Sequence, residues 1–315
     1  MSFRFFASNR ERRAVDVSVV IPVYNHAAYL EAAVTSVLEQ SVDVREVICI
    51  DDGSTDASFA VATELAARDA RVKTWTRPNR GANRTLNEGL EAAKGAYVAI
   101  LNSDDAFEPE RLERCIEVLD ADPATSLVCT ALSFVDAKGA RTKSRWYDEA
   151  IAFHRKSGDL AASLAYGNFV MTTSNFVARA SLFTDVGGFR DLRYAHDLEY
   201  LLRILALGHR MTILDAKLLR YRFHTTNTIS ESGKAVRIEI AAVVASYLRR
   251  RIRDPERPAS LSEIARMTAA CKPHEIGALV TYFLGSSTPE GADPLDAASL
   301  LVGADLERFH RELVG

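Results

Sequence analysis

The chain has 315 residues, of which 48% are hydrophobic, so it can bury the core of a large α/β domain plus an appendage. Charged residues make up 26% and the formal net charge is -3, a balance that gives no support to nucleic-acid binding. The N-terminus lacks the apolar core of a signal peptide, and no run approaches the ~18 apolar residues of a membrane span. These features favour a cytoplasmic protein whose 4 cysteines, scattered without a metal-type cluster, are buried free thiols.

Short apolar runs alternate with amphipathic segments through the first part of the chain. The runs predict strands at 17–21, 47–50, 72–75, 96–101 and 126–131. The segments predict helices at 30–38, 57–68 and 86–93, and a further helix that opens at Pro109. Pro22 is expected to end the first strand, because proline cannot donate to a ladder. Strands that alternate with helices predict a mostly parallel sheet flanked by helices.

The pattern weakens after residue 136, and 140–158 reads as polar and mixed. Further strands are predicted at 174–178 and 218–223, with a helix that opens at Asp197. Helical periodicity then dominates, at 234–252, 260–271, 274–284 and 295–313. We interpret this organisation as an N-terminal extension (1–14), an α/β domain (15–228) and a C-terminal helical region (229–315).

Polar loops follow three of the predicted strands, at 22–26, 51–56 and 102–105. Right-handed crossovers bring the carboxyl ends of parallel strands to one edge, where such sheets bind their ligands. The sequence therefore predicts a single site built from these loops.

Asp104 and Asp105 directly follow an apolar strand. Two adjacent carboxylates repel each other unless a cation neutralises them. Hard oxygen ligands suit Mg²⁺ or Mn²⁺, which one or two carboxylates often hold together with phosphate oxygens. The pair alone could be an acidic turn that caps the next helix, but the other loops at the same edge favour a metal site.

Two further loops could bind a nucleotide. Asp52 could accept a hydrogen bond from a base N–H, and the backbone near Pro22 with the Tyr24 ring could contact the base. Both segments could equally serve only to end strands and cap helices. Arg80 or Arg84, near a helix N-terminus, could reach a diphosphate, although a lone arginine there is more often a surface residue.

Asp197 and His224 are candidates for chemistry in the second half of the chain. Asp197 could be a general base, or a first-turn acid that interacts with the helix dipole. His224 could supply a metal bond, although a single histidine is more often structural. The sequence has no dinucleotide, P-loop or hydrolase-elbow motif, so those functions lose support.

Four segments, taken in order, closely resemble the family-2 glycosyltransferases of the GT-A fold. They are VVIPVYN at 19–25, IDDGSTD at 50–56, NEGLEAAKG at 87–95 and LNSDD at 101–105. The resemblance covers about residues 15–228 and implies a Rossmann-like GT-A domain with a C-terminal helical appendage. It also implies a metal-dependent, inverting enzyme that uses nucleotide-sugar donors.

Carried over by motif, the resemblance assigns a role to individual residues. The nucleobase would be held by Pro22, Val23, Tyr24 and Asp52. Asp104 would contact the donor ribose or sugar, and Asp105 would bind Mn²⁺ or Mg²⁺. The family's Glu-Asp motif ahead of an arginine is matched by His196-Asp197 and Arg203, which makes Asp197 the catalytic base. The looser match at 221–224 would place His224 near the metal.

The resemblance implies transfer of a hexose from a nucleotide sugar, with a UDP-sugar favoured, to a hydroxyl of a glycan, glycolipid or glycoprotein. Bacterial surface polysaccharide biosynthesis is the expected setting. A nucleotidyltransferase and a non-catalytic nucleotide-sugar-binding module are the alternatives. Basic segments such as 249–253 could touch the inner face of an anionic membrane, or could simply be a solvated helix end.

Overall fold

The computed structural model describes residues 12–225, 233–271, 276–285 and Leu295. Its centre is a nine-stranded sheet with the order β3-β2-β1-β4-β8-β6-β9-β5, and β7 pairs with β6. The strands are β1 (Arg13–Val23), β2 (Val42–Asp51), β3 (Val72–Thr76), β4 (Tyr97–Ile100), β5 (Ala106–Phe107), β6 (Thr125–Val135), β7 (Arg141–Thr142), β8 (Val177–Arg179) and β9 (Arg210–Arg222).

The first four strands form a parallel half-sheet in the order β3-β2-β1-β4. Val23 pairs with Asp51, and Val20 pairs with Ile100, so β1, β2 and β4 end at the same edge. The three polar loops all leave this edge, as the alternation of strands and helices predicts.

Pro22 does not end the first strand, so that prediction was wrong. Leu101 N donates to Val20 O, whereas Asp52 N donates to Val23 O, so alternate residues of β1 face β4 and β2. The nitrogen of Pro22 therefore faces the side of β4, which has already ended at Ile100. Because no donor is needed there, β1 continues through Pro22 with full pairing to β2.

The second half of the sheet is mixed. Strand β8 runs antiparallel to both β4 and β6, β5 runs antiparallel to β9, and β6 and β9 are parallel. Helices cover the sheet, so the predicted mostly parallel α/β architecture followed by C-terminal helices is confirmed. The helices are α1 (Ala27–Leu38), α2 (Ser58–Arg68), α3 (Ala82–Ala92), α4 (Arg111–Ala121), α5 (Arg145–Ser157), α6 (Leu160–Tyr166), α7 (Ala180–Val186), α8 (His196–Ala206), α9 (Gly233–Ile252), α10 (Leu261–Cys271) and α11 (Gly277–Gly285).

Two helix predictions need correction. Helix α4 begins at Arg111 with Glu110 as its N-cap, so Pro109 lies before the helix. Helix α5 occupies most of the segment whose sequence reads as polar and mixed. The helix gives little periodic signal because it buries only Tyr147 and Ala150, which form a narrow apolar stripe. Apart from Leu295, the helix predicted at 295–313 lies outside the described residues.

The C-terminal helices pack on the α/β part of the chain. Helix α9 contacts α8 and α11, and α10 contacts α6. All four cysteines are buried and free, as predicted. In the ranges that the structure describes, no helix has the length and apolar character needed to cross a bilayer.

Candidate functional site

The loops after β1 and β2 are joined by hydrogen bonds. His26 N donates to Ser58 Oγ at 2.9 Å, and Ala27 N donates to Asp56 Oδ2 at 3.1 Å. Helix α1 thus receives its capping groups from the loop after β2 and the first residue of α2, not from its own N-cap residue. Asn25, whose φ of 53° is a left-handed conformation that asparagine tolerates, turns the chain into this contact.

Asp52 is buried and holds the turn at 77–81. Its carboxylate accepts hydrogen bonds from Arg80 N at 2.8 Å and Gly81 N at 2.9 Å, and from the Arg77 guanidinium. A carboxylate has about four acceptor positions, so a further donor can still be accommodated. The predicted contact of Asp52 with a base stays a prediction.

The other predicted nucleotide-binding residues differ in exposure. Tyr24 is 47% exposed, whereas Val23 is buried and its carbonyl accepts a hydrogen bond from Asp52 N. Pro22 lies between them at the end of β1. Arg84 lies in the first turn of α3, where its exposed side chain reaches Asp191 at 3.5 Å.

The two carboxylates of the acidic pair face different partners. Asp105 is buried, and its two oxygens accept hydrogen bonds from Ser174 Oγ at 2.6 Å and from Arg222 N at 3.0 Å. Burial, followed by the negative charge of Asp104, raises the pKa of Asp105 well above its ordinary range. Asp104 Oδ2 lies 2.8 Å from His224 Nε2.

Asp104 and His224 belong to a three-residue cluster completed by His26. One potential ligand atom from each residue lies within 4.8 Å of the other two. The sequence assigns the metal to Asp105 and His224, but the structure brings Asp104 to His224 instead. The ligand role of Asp105 stays a prediction, and Asp104 is the carboxylate that the geometry offers. Sequence reasoning missed His26, because nothing in the linear pattern connects it with the acidic pair.

Aromatic contacts hold the ring of His224. Tyr29 stacks on it with centroids 5.4 Å apart and an interplanar angle of 30°. The Arg222 guanidinium forms a cation–π contact with Tyr29, at 4.8 Å from the centroid of its ring. His26, Tyr29 and His224 line an open groove of about 660 Å³ that also reaches Asp56.

Asp197 lies in the first turn of α8, as predicted, and is buried. Asn168 Nδ2 donates to its Oδ2, and Leu198 N donates to its Oδ1, both at 2.7 Å. These two hydrogen bonds fix the orientation of the carboxylate. Asp197 is thus a carboxylate held in one orientation, and its role as a base stays a prediction.

The segment 168–174 connects Asp197 with the acidic pair. Asn168 binds Asp197, and six residues later Ser174 binds both Asp105 and the backbone N of Asn102. Thr172 Oγ1 also accepts a hydrogen bond from the Asn102 amide at 3.0 Å. One short chain segment therefore contacts both the carboxylate predicted as base and the acidic loop.

The two residues around Asp197 that the resemblance singles out, His196 and Arg203, differ in their hydrogen bonding. Arg203 donates to Val186 O and Gly188 O, both at 2.7 Å, and so ties α8 to the end of α7. Nδ1 of His196 is buried and has no hydrogen-bond partner among the described residues.

Glu239 on α9 supports the loop that leads into α8. Its carboxylate accepts hydrogen bonds from the backbone N–H groups of Arg193, Tyr194 and Ala195 at 2.8, 2.7 and 2.8 Å. Ala195 is the N-cap of α8 and has no side-chain cap of its own. The C-terminal helices thus contact the element that carries Asp197, a connection with no signal in the sequence.

The basic segment at 249–253 is partly neutralised within the protein. Arg251 pairs with Glu263 and Asp254, each at 3.1 Å. Contact of this segment with a membrane stays a prediction.

The chain matches the model of a known family and resembles known enzymes. The model described as "Glycosyl transferase family 2" matches residues 18–187. The putative glycosyltransferase EpsH of Bacillus subtilis (strain 168) is 36% identical over 121 residues, which are 38% of this chain and 35% of EpsH. Chondroitin synthase of Pasteurella multocida (strain Pm70) is 36% identical over 124 residues, 39% of this chain and 13% of the synthase. The chain thus matches about a third or less of the length of these relatives.

Solved structures share the fold at low sequence identity. S. aureus TarS 1–349 in complex with UDP has a TM-score of 0.58 and 18% identity, over 92% of this chain and 76% of that one. The mannosyltransferase PcManGT from Pyrobaculum calidifontis, in complex with GDP-Man and Mn²⁺, has a TM-score of 0.56 and 19% identity, over 95% and 84%. The chain has the GT-A fold.

Proposed function

Since the chain belongs to glycosyl transferase family 2, we propose that it transfers a sugar from a nucleotide-sugar donor to an acceptor hydroxyl, with a divalent metal ion and with inversion. The observation that carries this proposal is that segment 168–174 contacts Asp197 through Asn168 and the acidic loop beside His224 through Ser174. A base and a site for a donor diphosphate are the two parts that such a displacement needs.

The donor set at Asp104 fits a divalent ion. A carboxylate and imidazole nitrogens are ligands that Mn²⁺ accepts, and they leave positions open for phosphate oxygens. Asp104 and His224 would hold the ion. When bound there, the ion supplies positive charge that stabilises the diphosphate leaving group.

Asp197 would accept the proton of the acceptor hydroxyl. The hydrogen bonds from Asn168 and from the N–H of Leu198 hold its carboxylate in one orientation. Attack by that hydroxyl on the anomeric carbon would pass through an oxocarbenium-like transition state. A single displacement inverts the anomeric configuration, and no glycosyl-enzyme intermediate forms.

The donor would lie along the loops after β1 and β2. Asp52, Tyr24 and the backbone of Pro22 and Val23 would hold the base, with Arg84 near the diphosphate. A UDP-sugar is favoured, and TarS, which shares the fold, was crystallised with UDP and with UDP-GlcNAc. The acceptor would be a glycan, glycolipid or glycoprotein of a bacterial surface polysaccharide pathway, and the transferred sugar a hexose.

The Asp197→Asn variant tests the assignment of the base. We expect its turnover to fall by about 10²–10⁴-fold, the usual contribution of a general base, while donor affinity stays close to that of the wild type. Release of the nucleoside diphosphate and calorimetric titration of the donor measure these two quantities. Asp185→Asn, at an exposed position of α7, is the matched control. Equal turnover in Asp197→Asn and the control would refute the base assignment.

Product analysis tests the reaction class. The anomeric configuration of the product, read by NMR, should be opposite to that of the donor. Retention would contradict a single displacement. Release of pyrophosphate from a nucleoside triphosphate and a sugar phosphate would instead indicate a nucleotidyltransferase.

A further inference from the structure

His26 lies within reach of the same ion as Asp104 and His224. We propose that His26 is a third protein ligand of this site, so that one carboxylate and two imidazoles favour Mn²⁺, Co²⁺ and Zn²⁺ over Mg²⁺. This inference rests on the proposed metal site and concerns which ions that site selects.

One ring nitrogen of His26 already has a hydrogen-bond partner. Nδ1 lies 2.8 Å from the Oγ of Ser103, the neighbour of Asp104. A metal-binding histidine commonly uses its second nitrogen in a hydrogen bond that holds the ring. The Ser103 contact therefore leaves Nε2 of His26 for an ion.

The backbone of His26 is also fixed. Its N–H donates to Ser58 Oγ at 2.9 Å, and its carbonyl accepts from Tyr29 N at 2.9 Å and Leu30 N at 3.0 Å in the first turn of α1. The His26 side chain therefore projects from a residue whose backbone N–H and carbonyl are both held by hydrogen bonds. A site held on rigid elements needs little rearrangement to bind an ion.

The two imidazoles meet almost at right angles. Their ring centroids are 5.4 Å apart with an interplanar angle of 85°, so the rings do not stack on each other. The three potential ligand atoms lie within 4.8 Å of one another. Ligand atoms that share an ion with bonds of about 2.1 Å lie roughly 3–4 Å apart, so small side-chain rotations suffice.

The chemistry of the donors determines the selectivity. Mg²⁺ prefers oxygen ligands and gives up its waters reluctantly, whereas imidazole suits later first-row ions. Replacing oxygen donors by two nitrogens therefore weakens Mg²⁺ binding relative to Mn²⁺ and Co²⁺. Two histidines and one carboxylate also leave open positions for the oxygens of a diphosphate.

Metal titration of the full chain in the absence of donor and acceptor tests this inference. We expect the wild type to bind Mn²⁺ at least about tenfold more tightly than Mg²⁺, by calorimetry and by the EPR signal of free Mn²⁺. His26→Asn and His26→Phe, of which the second keeps the ring bulk but has no nitrogen, should weaken Mn²⁺ and Co²⁺ binding by about 10–100-fold. Mg²⁺ binding should change far less. His209→Asn, outside the cluster, is the matched control and should bind all three ions like the wild type.

The variants separate this inference from the proposed function. If Asp104→Asn abolishes Mn²⁺ binding while both His26 variants bind Mn²⁺ and Mg²⁺ like the wild type, the role of His26 is refuted and the metal site stands. If Asp104→Asn also binds Mn²⁺ normally, the metal site itself is wrong. Equal affinity of the wild type for Mn²⁺ and Mg²⁺ would likewise overturn the proposed selectivity.

Discussion

Asn168 donates a hydrogen bond from Nδ2 to Oδ2 of Asp197 over 2.7 Å. Asn168 follows α6, and its own Oδ1 accepts from Met171 N at 3.2 Å, so the amide is held from both ends. The second Asp197 oxygen is bound by the N–H of Leu198. Asp197 therefore has a direction set by its neighbours, and Asn168 is the side chain that sets it.

Removing the Asn168 side chain should slow the reaction without weakening the binding of the nucleotide sugar. We expect Asn168→Ala to lower kcat by about 10–100-fold, because a misdirected base loses its alignment with the acceptor. Asn168→Ser, which keeps a hydroxyl donor, should recover part of the loss. Steady-state kinetics give kcat, and titration gives the donor Kd. An unchanged kcat in Asn168→Ala would show that Asp197 does not depend on this contact.

Ser174 is expected to contribute to stability through a buried carboxylate. Ser174→Ala removes the hydroxyl that donates to Asp105 and accepts from Asn102 N. Leaving buried polar groups without partners should lower the free energy of unfolding by about 1–3 kcal/mol, measured by urea denaturation. Ser181→Ala, at an exposed position of α7, should stay within about 0.5 kcal/mol of the wild type. Equal stabilities in the two variants would contradict this account.

Glu239 should affect catalysis from outside the α/β part of the chain. Glu239→Gln replaces a charged acceptor of three backbone N–H groups by an amide that offers one oxygen. We expect a loss of about 1–3 kcal/mol in unfolding free energy and a lower kcat, with the donor Kd retained. Glu256→Gln, exposed and in the same region, is the control. If only stability falls and kcat matches the control, the contact supports the fold and not Asp197.

Glu46 should make the stability of the protein depend on pH. Burial disfavours its charge, but hydrogen bonds from Lys73, from Ser18 Oγ at 2.6 Å and from Lys94 N at 2.9 Å outweigh this and hold the pKa of Glu46 below its usual 4.5. A carboxyl whose pKa is lower when folded stabilises the protein above the unfolded pKa, and this contribution is lost as pH falls through the folded value.

Thermal unfolding between pH 7 and pH 3 measures this effect. The wild type should lose stability as the pH drops below 4.5. Glu46→Gln should be less stable at pH 7 and should lose less on acidification. Parallel curves for the two proteins would show that Glu46 does not carry this part of the pH dependence.

The sequence predicts those parts of the fold that depend on local pattern. The alternation of β1 to β4 with amphipathic helices is visible in the spacing of apolar residues, and the parallel edge and its polar loops follow from it. The prediction that Pro22 ends β1 is wrong, because the effect of a proline on a strand depends on where the neighbouring strand, here β4, ends. Helix α5 was missed because it buries too few residues to show a period.

The site was predictable as a set of loops but not as a set of contacts. Asp104 and Asp105 are adjacent in sequence, yet one faces His224 and the other is enclosed by Ser174 and Arg222. Which of them meets which partner depends on segments about 70 and 120 residues away, as do the contacts of His26. Such long-range pairings are fixed by tertiary packing, which leaves no trace in local composition.

The contact between Glu239 and the loop before α8 has a consequence for how this enzyme can vary. The matched family segment ends at residue 187, so Asp197, α8 and α9 all lie beyond it. If Asp197 has the proposed role, mutations in the C-terminal helices can tune the rate of transfer while the donor-binding loops remain untouched. Evolution could then adapt the speed of the reaction from the C-terminal helices without altering the choice of donor.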